Sequence, residues 1–245
     1  MLRAMPAFGD QPLKVEVADD GIATVTLNRP DKRNALSIAL RDELSETLAR
    51  WHDDRAVRVV VITGAPPAFS AGFDLGEFQQ ADLARTIRHS SARYHRAVWM
   101  FPKPTIAAVN GAALGGGFDL ATLCDLRVAS NEASFGHPEI KFGAPPLFTP
   151  LRWLVGDGVA RDLCLTGRRI DAEESLRIGL VSRVVPTDRL AVEAVEIARQ
   201  VAEAPQRTLE ATKRYLTGNQ GFGFEDSFRI EHDDGFDNFL DGAIG

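Results

Sequence analysis

Cysteine is scarce: Cys124 and Cys164 are the only two, and both sit in apolar surroundings. Two lone thiols make no zinc pattern, and no metal site is expected. They read as buried free thiols of a reducing compartment. An apolar core of signal-peptide length is missing behind Met1-Leu2-Arg3-Ala4-Met5-Pro6. No run approaches the roughly 18 apolar residues of a membrane span. The expectation is a cytoplasmic protein with no membrane partner. Neither sign of charge dominates: 28 Lys and Arg face 34 Asp and Glu, for a net charge of −6. That balance excludes a generally basic surface and argues against a nucleic-acid partner, while leaving room for a local basic patch against an anionic ligand. The dinucleotide pattern G-x-G-x-x-G, the P-loop pattern and the nucleophile elbow G-x-S-x-G are all absent. Internal repeats and low-complexity tracts are absent too.

What is present is an alternation of strand-like and helix-like segments. With 245 residues the chain suffices for one large domain, or a domain with an appendage. Residues 13–18 and 22–28 read as strands around an Asp19-Asp20-Gly21 turn. Ser37 caps an amphipathic helix to about Trp51. Val57 to Thr63 is a β-branched run fit for a strand buried on both faces. A helix over 82–100, a strand over 105–109, a helix ending near Leu123 and a strand over 125–129 follow. Such alternation implies crossover connections and a largely parallel sheet. Beyond about residue 150 helices dominate: 158–166, 171–178, 187–204, 206–217 and a last one over 224–240. Asp171 and Thr187 are the expected caps, and only Val181 to Val185 reads as a strand. The expected fold class is α/β. A core over 1–190 carries the site, and a helical region over 191–245 serves oligomerisation.

The chemistry concentrates in three loops. Asn110-Gly111-Ala112-Ala113-Leu114-Gly115-Gly116-Gly117-Phe118-Asp119 joins a strand to a helix. Glycines there let backbone N–H groups approach a ligand, and a helix start leaves N–H groups unpaired with partial positive charge. Such donors suit a developing oxyanion; a plain tight turn is the competing reading. Asp119, three residues after Gly116, shares its helix face. A second loop, Ala65 to Leu75, follows the strand 57–63. Ala71-Gly72 permits a tight turn, and Phe73 presents its N–H beyond a parallel strand end. Ser70 reads as a turn residue, and Asp74 as a loop-fixing acceptor or a ligand contact. The third loop holds Phe135-Gly136-His137-Pro138-Glu139-Ile140. Asp119 and Glu139 sharing a dry pocket would split their pKa values, so that one donates a proton and the other accepts. His137 competes for acid–base work, although its place beside Pro138 gives it no evident geometry.

These segments, with Asn28 to Leu36, Leu165 to Ala172 and Gly179 to Val185, resemble the landmarks of the enoyl-CoA hydratase/isomerase (crotonase) superfamily. Their order and spacing agree from about residue 15 to 215. The resemblance implies a spiral of ββα units with a helical C-terminal trimerisation region, assembled as homotrimers or dimers of trimers. It implies an acyl-CoA thioester substrate, with no cofactor beyond the CoA that the substrate carries. The thioester oxygen would sit between the backbone N–H groups of Phe73 and Gly116. CoA contacts would come from Arg33, Ala35 and Leu36 and from Ala71, Gly72, Asp74 and Leu75. Leu114, Gly115 and Pro138 would add substrate contacts, and Arg29, Lys32 and Arg33 are the cations nearest the CoA phosphates. In the hydratases of this family two carboxylates activate water. Carried over, Asp119 would orient water toward Cβ, and Glu139 would handle the proton exchanged with Cα. An isomerase using Glu139 as base is the alternative activity, and a non-catalytic acyl-CoA-binding protein is the alternative class. The chain departs from the hydratase pattern with Asp, not Glu, at 119. Leu147 stands where dienoyl-CoA isomerases carry Asp, and Gly143 to Pro150 replaces a glycine-rich pocket segment. The chain closes soon after Phe239-Leu240, so a wall of the CoA site or a trimer contact is expected to be built differently.

Overall fold

A computed structural model describes residues 11–218 and Gly221. The chain opens with an antiparallel hairpin, β1 (Leu13–Val17) and β2 (Ile22–Leu27). Its turn uses Gly21 at φ +81°, and the Asp20 carboxylate accepts the Ile22 N–H. Helix α1 (Ile38–Trp51) begins at Ser37, whose Oγ accepts the Leu40 N–H at 3.3 Å. Then come β3 (Val59–Gly64), β4 (Ala68–Ser70), the short α2 (Leu75–Phe78) and α3 (Ala84–Trp99). The middle of the chain is β5 (Thr105–Val109), β6 (Ala112–Leu114), α4 (Gly116–Leu123), β7 (Leu126–Ser130) and β8 (Ser134–Gly136). Helix α5 (Phe148–Thr166) is broken at Gly156, which takes φ +78°. Last are β9 (Arg169–Asp171), α6 (Ala172–Arg177), β10 (Arg183–Val185), α7 (Leu190–Ala202) and α8 (Gln206–Gly218).

The strands form two sheets, and the chain alternates between them. The larger has the order β1-β2-β3-β5-β7-β10, parallel from β2 onward; the smaller has the order β4-β6-β8-β9. Each turn thus lays one strand in each sheet before a helical stretch: β3-β4, then β5-β6, then β7-β8. In the smaller sheet β4, β6 and β8 are parallel neighbours. The loops leaving their carboxyl ends therefore emerge side by side, as happens wherever parallel strands share a direction.

Strand β3 shows why the larger sheet is buried twice. Val60 and Ile62 join the main core with Leu40, Leu44, Leu48, Tyr94, Val98 and Phe118. Val59 and Val61, one residue out of phase, face Leu190, Ala194, Ile197 and Ala198 of α7 on the other side. Period-two alternation of apolar residues gives both faces a partner. Helix α7 thus completes a second core on the outer face of the sheet. Helix α8 is tied in as well: Lys213 Nζ lies 2.8 Å from Asp125 Oδ2 and donates to the Lys103 carbonyl.

Two local expectations are corrected, and one is extended. Thr187 does not cap a helix through its side chain; it opens a 3-10 turn over Thr187–Arg189, and its hydroxyl bonds Asn131 instead. The helix expected over 158–166 is there, as the part of α5 beyond the break at Gly156; a further helical stretch from Phe148 precedes it, with Pro150 in its first turn, where a missing N–H costs nothing. The strand expected over 181–185 covers only Arg183–Val185. The helix expected over 224–240 lies outside the described residues.

Candidate active site

The first site loop is built by Asn34. Its φ of +55° is a conformation that Asn tolerates better than most residues. Its buried side chain accepts the Arg29 N–H and donates to the carbonyls of Ala65 and Ala68. The 33–36 segment then zips to the 71–73 segment. Ala71 N–H donates to the Arg33 carbonyl, Leu36 N–H donates to the Gly72 carbonyl, and Leu36 bridges Phe73 in parallel. Gly72 at φ +94° makes the bend, with the Leu114 carbonyl 2.8 Å from where a Cβ would stand. The Phe73 ring is backed by the fully buried Arg41, whose guanidinium carbon lies 4.7 Å from the ring centroid. Arg41 is itself held by the Leu36 carbonyl, Ser90 and Glu77.

The second loop meets the first. Gly115 takes φ +52°, and its N–H donates to the Gly136 carbonyl. Gly116 then opens α4, so its own N–H has no acceptor within the helix. A Cβ on Gly116 would stand 2.9 Å from the Phe73 ring; one on Gly117 would stand 2.4 Å from the Ser70 carbonyl oxygen. Glycine is what lets the starts of the two loops touch. Tyr94 Oη donates to the Gly116 carbonyl at 3.1 Å. Burial, then the charge of Asp119, holds that phenol well above its usual range, so it stays a neutral donor.

The two acids stand beyond these loops, with one imidazole between them. His137 is fully buried and stacks against Phe118, with ring centroids 4.7 Å apart. Its Nδ1 lies 2.8 Å from Glu139 Oε1, and its Nε2 faces Asp119 Oδ1 at 3.9 Å. On the other carboxyl oxygen of Asp119, His95 Nε2 of α3 lies 3.8 Å away. Burial raises the Asp119 carboxyl above its ordinary range and the nearby Glu139 pushes the same way, while His95 and His137 pull it down. Among the described residues, Asp119 Oδ1, Glu139 Oε2, His95 Nε2 and His137 Nε2 have no hydrogen-bond partner. Buried polar atoms are rarely left so. Four together mark a place built for polar atoms that a reactant brings.

Several expected residues have other work. Arg29 is bound to the Ala35 carbonyl and to Asp74 at 2.8 Å, so it braces the loops. Asp74 also caps α2 by accepting the Gly76 N–H, and Arg29 holds its carboxyl below its usual range against the effect of burial. Ser70 accepts from the Gly72 N–H and donates to the Asn34 carbonyl. Lys32, Arg33, Ala71 and Leu75 are exposed at the rim; Ala35, Leu36 and Leu114 are buried beside the loops, and Pro138 starts the turn that carries Glu139. Cys124 and Cys164 are free thiols pushed up by burial to about 12 and about 11, so neither is a thiolate at neutral pH. Among the described residues no group of His, Cys, Asp and Glu has a metal-holding arrangement. Sequence reasoning missed His95 and Arg41. The signal for His95 was its place beside Tyr94 on the buried stripe Ile87, Tyr94, Val98 of α3.

Residues 18–221 match the family described as enoyl-CoA hydratase/isomerase. The chain belongs to the enoyl-CoA hydratase/isomerase family. It is 40% identical over 223 residues to a putative enoyl-CoA hydratase of Thermus thermophilus, covering 88% of each chain. A probable enoyl-CoA hydratase of Rhizobium meliloti is 42% identical over 213 residues, with 83% of each chain covered. The crystal structure of an enoyl-CoA hydratase from Bacillus anthracis superposes with a TM-score of 0.86 at 34% identity, over 91% of this chain and 89% of that one. The two-sheet spiral is therefore the fold of solved enoyl-CoA hydratases. Among the described residues no helix is long and apolar enough to cross a membrane.

Proposed function

We infer that the protein is an enoyl-CoA hydratase that adds water to a 2-enoyl-CoA thioester. The observation that carries this reading is the placement of Asp119 and Glu139 on either side of one buried imidazole, beside the touching 72–73 and 115–116 segments. The Phe73 and Gly116 N–H groups hold the thioester oxygen as charge develops on it, each worth ~2.7–4 kcal/mol in a preorganised, water-poor site. Asp119 orients the water and takes its proton as the oxygen bonds to Cβ, and that proton returns to Glu139 before the next turnover. Glu139 supplies the proton that Cα takes up, which is general acid–base work from a fixed position. His137 anchors one Glu139 oxygen and leaves Oε2 open. Exposed Lys32 and Arg33 serve the CoA phosphates, and the reaction needs no cofactor beyond the CoA of its substrate. A cytoplasmic location and assembly as a homotrimer or dimer of trimers belong to the same reading; light scattering on the purified protein tests the assembly.

The test is hydration of 2-butenoyl-CoA by wild type and by Glu139→Gln. The variant should lose roughly 10²–10⁴-fold in kcat, the usual contribution of a positioned acid or base. Turnover at the wild-type rate would remove Glu139 from the mechanism.

A further inference from the structure

The hydration chemistry leaves His95 without a role. Its Nδ1 lies 2.7 Å from the Ser91 carbonyl oxygen. A carbonyl only accepts, so Nδ1 carries a proton. In the neutral ring Nε2 is then a bare lone pair, and it faces Asp119 Oδ2 at 3.8 Å. A lone pair facing an ionised carboxylate is repulsive, and this carboxyl is buried, only 6% exposed. The contact becomes favourable when the two groups share one proton: imidazolium with carboxylate, or imidazole with carboxylic acid. The ring is held for this role, with its centroid 4.2 Å from that of Tyr94 and 6.2 Å from that of Phe73.

We propose that His95 is a positioning residue for the hydration reaction, which shares a proton with Asp119 and keeps that carboxyl ionised and set toward the reacting water. The proposal rests on the hydratase reading. The other groups around Asp119 are His137, Glu139, Tyr94 of α3 and Cys164 of α5. Tyr94 and Cys164 are neutral near pH 7, since burial raises both. Glu139 opposes ionisation of Asp119, and His137 divides its ring between the two acids. His95 is the imidazole that faces Asp119 and no other acid of the site.

Two measurements test this. The first is the pH profile of kcat for 2-butenoyl-CoA hydration by wild type, His95→Phe and His95→Gln. In His95→Phe kcat should fall roughly tenfold to a hundredfold, the effect of a small misplacement of a reacting group. KM should change by less than about threefold, as for an interaction felt mainly in the transition state. The acid limb should move to higher pH, because the buried carboxyl has lost a cationic neighbour. His95→Gln keeps a donor and should recover part of the rate and part of the limb. An unchanged kcat, or an acid limb unmoved in both variants, overturns the proposal.

The second measurement is nitrogen NMR of the imidazole rings in the folded protein. The His95 signal, identified by its loss in His95→Gln, should show a protonated Nε2 in wild type and a bare one in Asp119→Asn at the same pH. The same Nε2 state in both overturns the shared proton even if His95→Phe fails to fold. This readout needs no turnover. A coupled His95 in a protein that hydrates no enoyl thioester would retire the hydratase reading, and the positioning role with it, while leaving the proton pair in place.

Discussion

Replacing Gly116 by Ala separates an oxyanion site from an ordinary turn. The backbone permits the change, since Gly116 opens α4 and, unlike Gly115, is outside the positive-φ region. The added Cβ would stand 2.9 and 3.0 Å from two carbons of the Phe73 ring and 3.5 Å from Leu36 Cδ1. That ring cannot swing away freely: Phe78 and Tyr94 pack edge-on at 6.2 Å, and Arg41 lies over it at 4.7 Å. Relief must come from moving the 72–73 backbone or the start of α4, which carry the two proposed N–H donors. For stability the effects oppose each other. Overpacking costs about 1–3 kcal/mol, and Ala returns about 1 kcal/mol over Gly in a helix, for a net loss of about 0–2 kcal/mol. For catalysis they do not. A donor moved out of reach of the thioester oxygen removes ~2.7–4 kcal/mol, or roughly 10²–10³-fold in kcat. Thermal unfolding and steady-state hydration of 2-butenoyl-CoA, measured on one preparation, give both numbers. A variant that folds and keeps kcat within about threefold of wild type would refute the reasoning, because one oxyanion donor is worth far more than that.

Three further outcomes are expected. Burial raises the Asp119 carboxyl above its ordinary 3.8, so the ionised group lowers folding stability once pH exceeds that value, and the penalty is gone below it. Asp119→Asn should therefore unfold at a higher temperature than wild type at pH 7, with the gap closing as pH falls toward 3.8, while hydration is lost; an equal or lower Tm at pH 7 contradicts the burial argument. Asn34→Ala deletes the side-chain bonds to Arg29, Ala65 and Ala68 and leaves those groups unpaired. It should cost about 2–4 kcal/mol, judged by denaturant titration, as buried groups left unsatisfied cost about 1–3 kcal/mol each before relaxation. Cys124 and Cys164, with thiols pushed up to about 12 and about 11, should resist alkylation at pH 8 in the native protein and react on unfolding; rapid native labelling would show that one is exposed or ionised.

The parallel strands of the larger sheet and the amphipathic helices were legible because each carries a period. Val57 to Thr63 reads as a strand buried on both faces, and its two faces do meet two separate cores. The smaller sheet was not legible. Strands β4, β6, β8 and β9 are three residues each, too short for alternation to register. Three of them lie inside segments read as loops or turns. The candidate site residues, by contrast, stood out in those segments, because glycine clusters and a Pro-Glu turn are local signals. The spatial partners were hidden. His95 lies 24 residues before Asp119 in the chain, and nothing local ties the two. His137 looked unpromising beside Pro138, yet the turn that Pro138 starts is what swings Glu139 back onto its ring. Arg29 read as a phosphate contact because it is cationic and near the loop; only its bonds to Ala35 and Asp74 show that the charge is already used.

Hydration at this site means that oxygen from water ends on a carbon of an activated double bond. Turnover of 2-butenoyl-CoA in ¹⁸O-labelled water, followed by mass spectrometry of the thioester product, tests it directly. Wild type should form a 3-hydroxyacyl-CoA carrying the label, and Glu139→Gln almost none. A product with its double bond moved and no label, or no turnover across a range of 2-enoyl-CoA chain lengths, would contradict it.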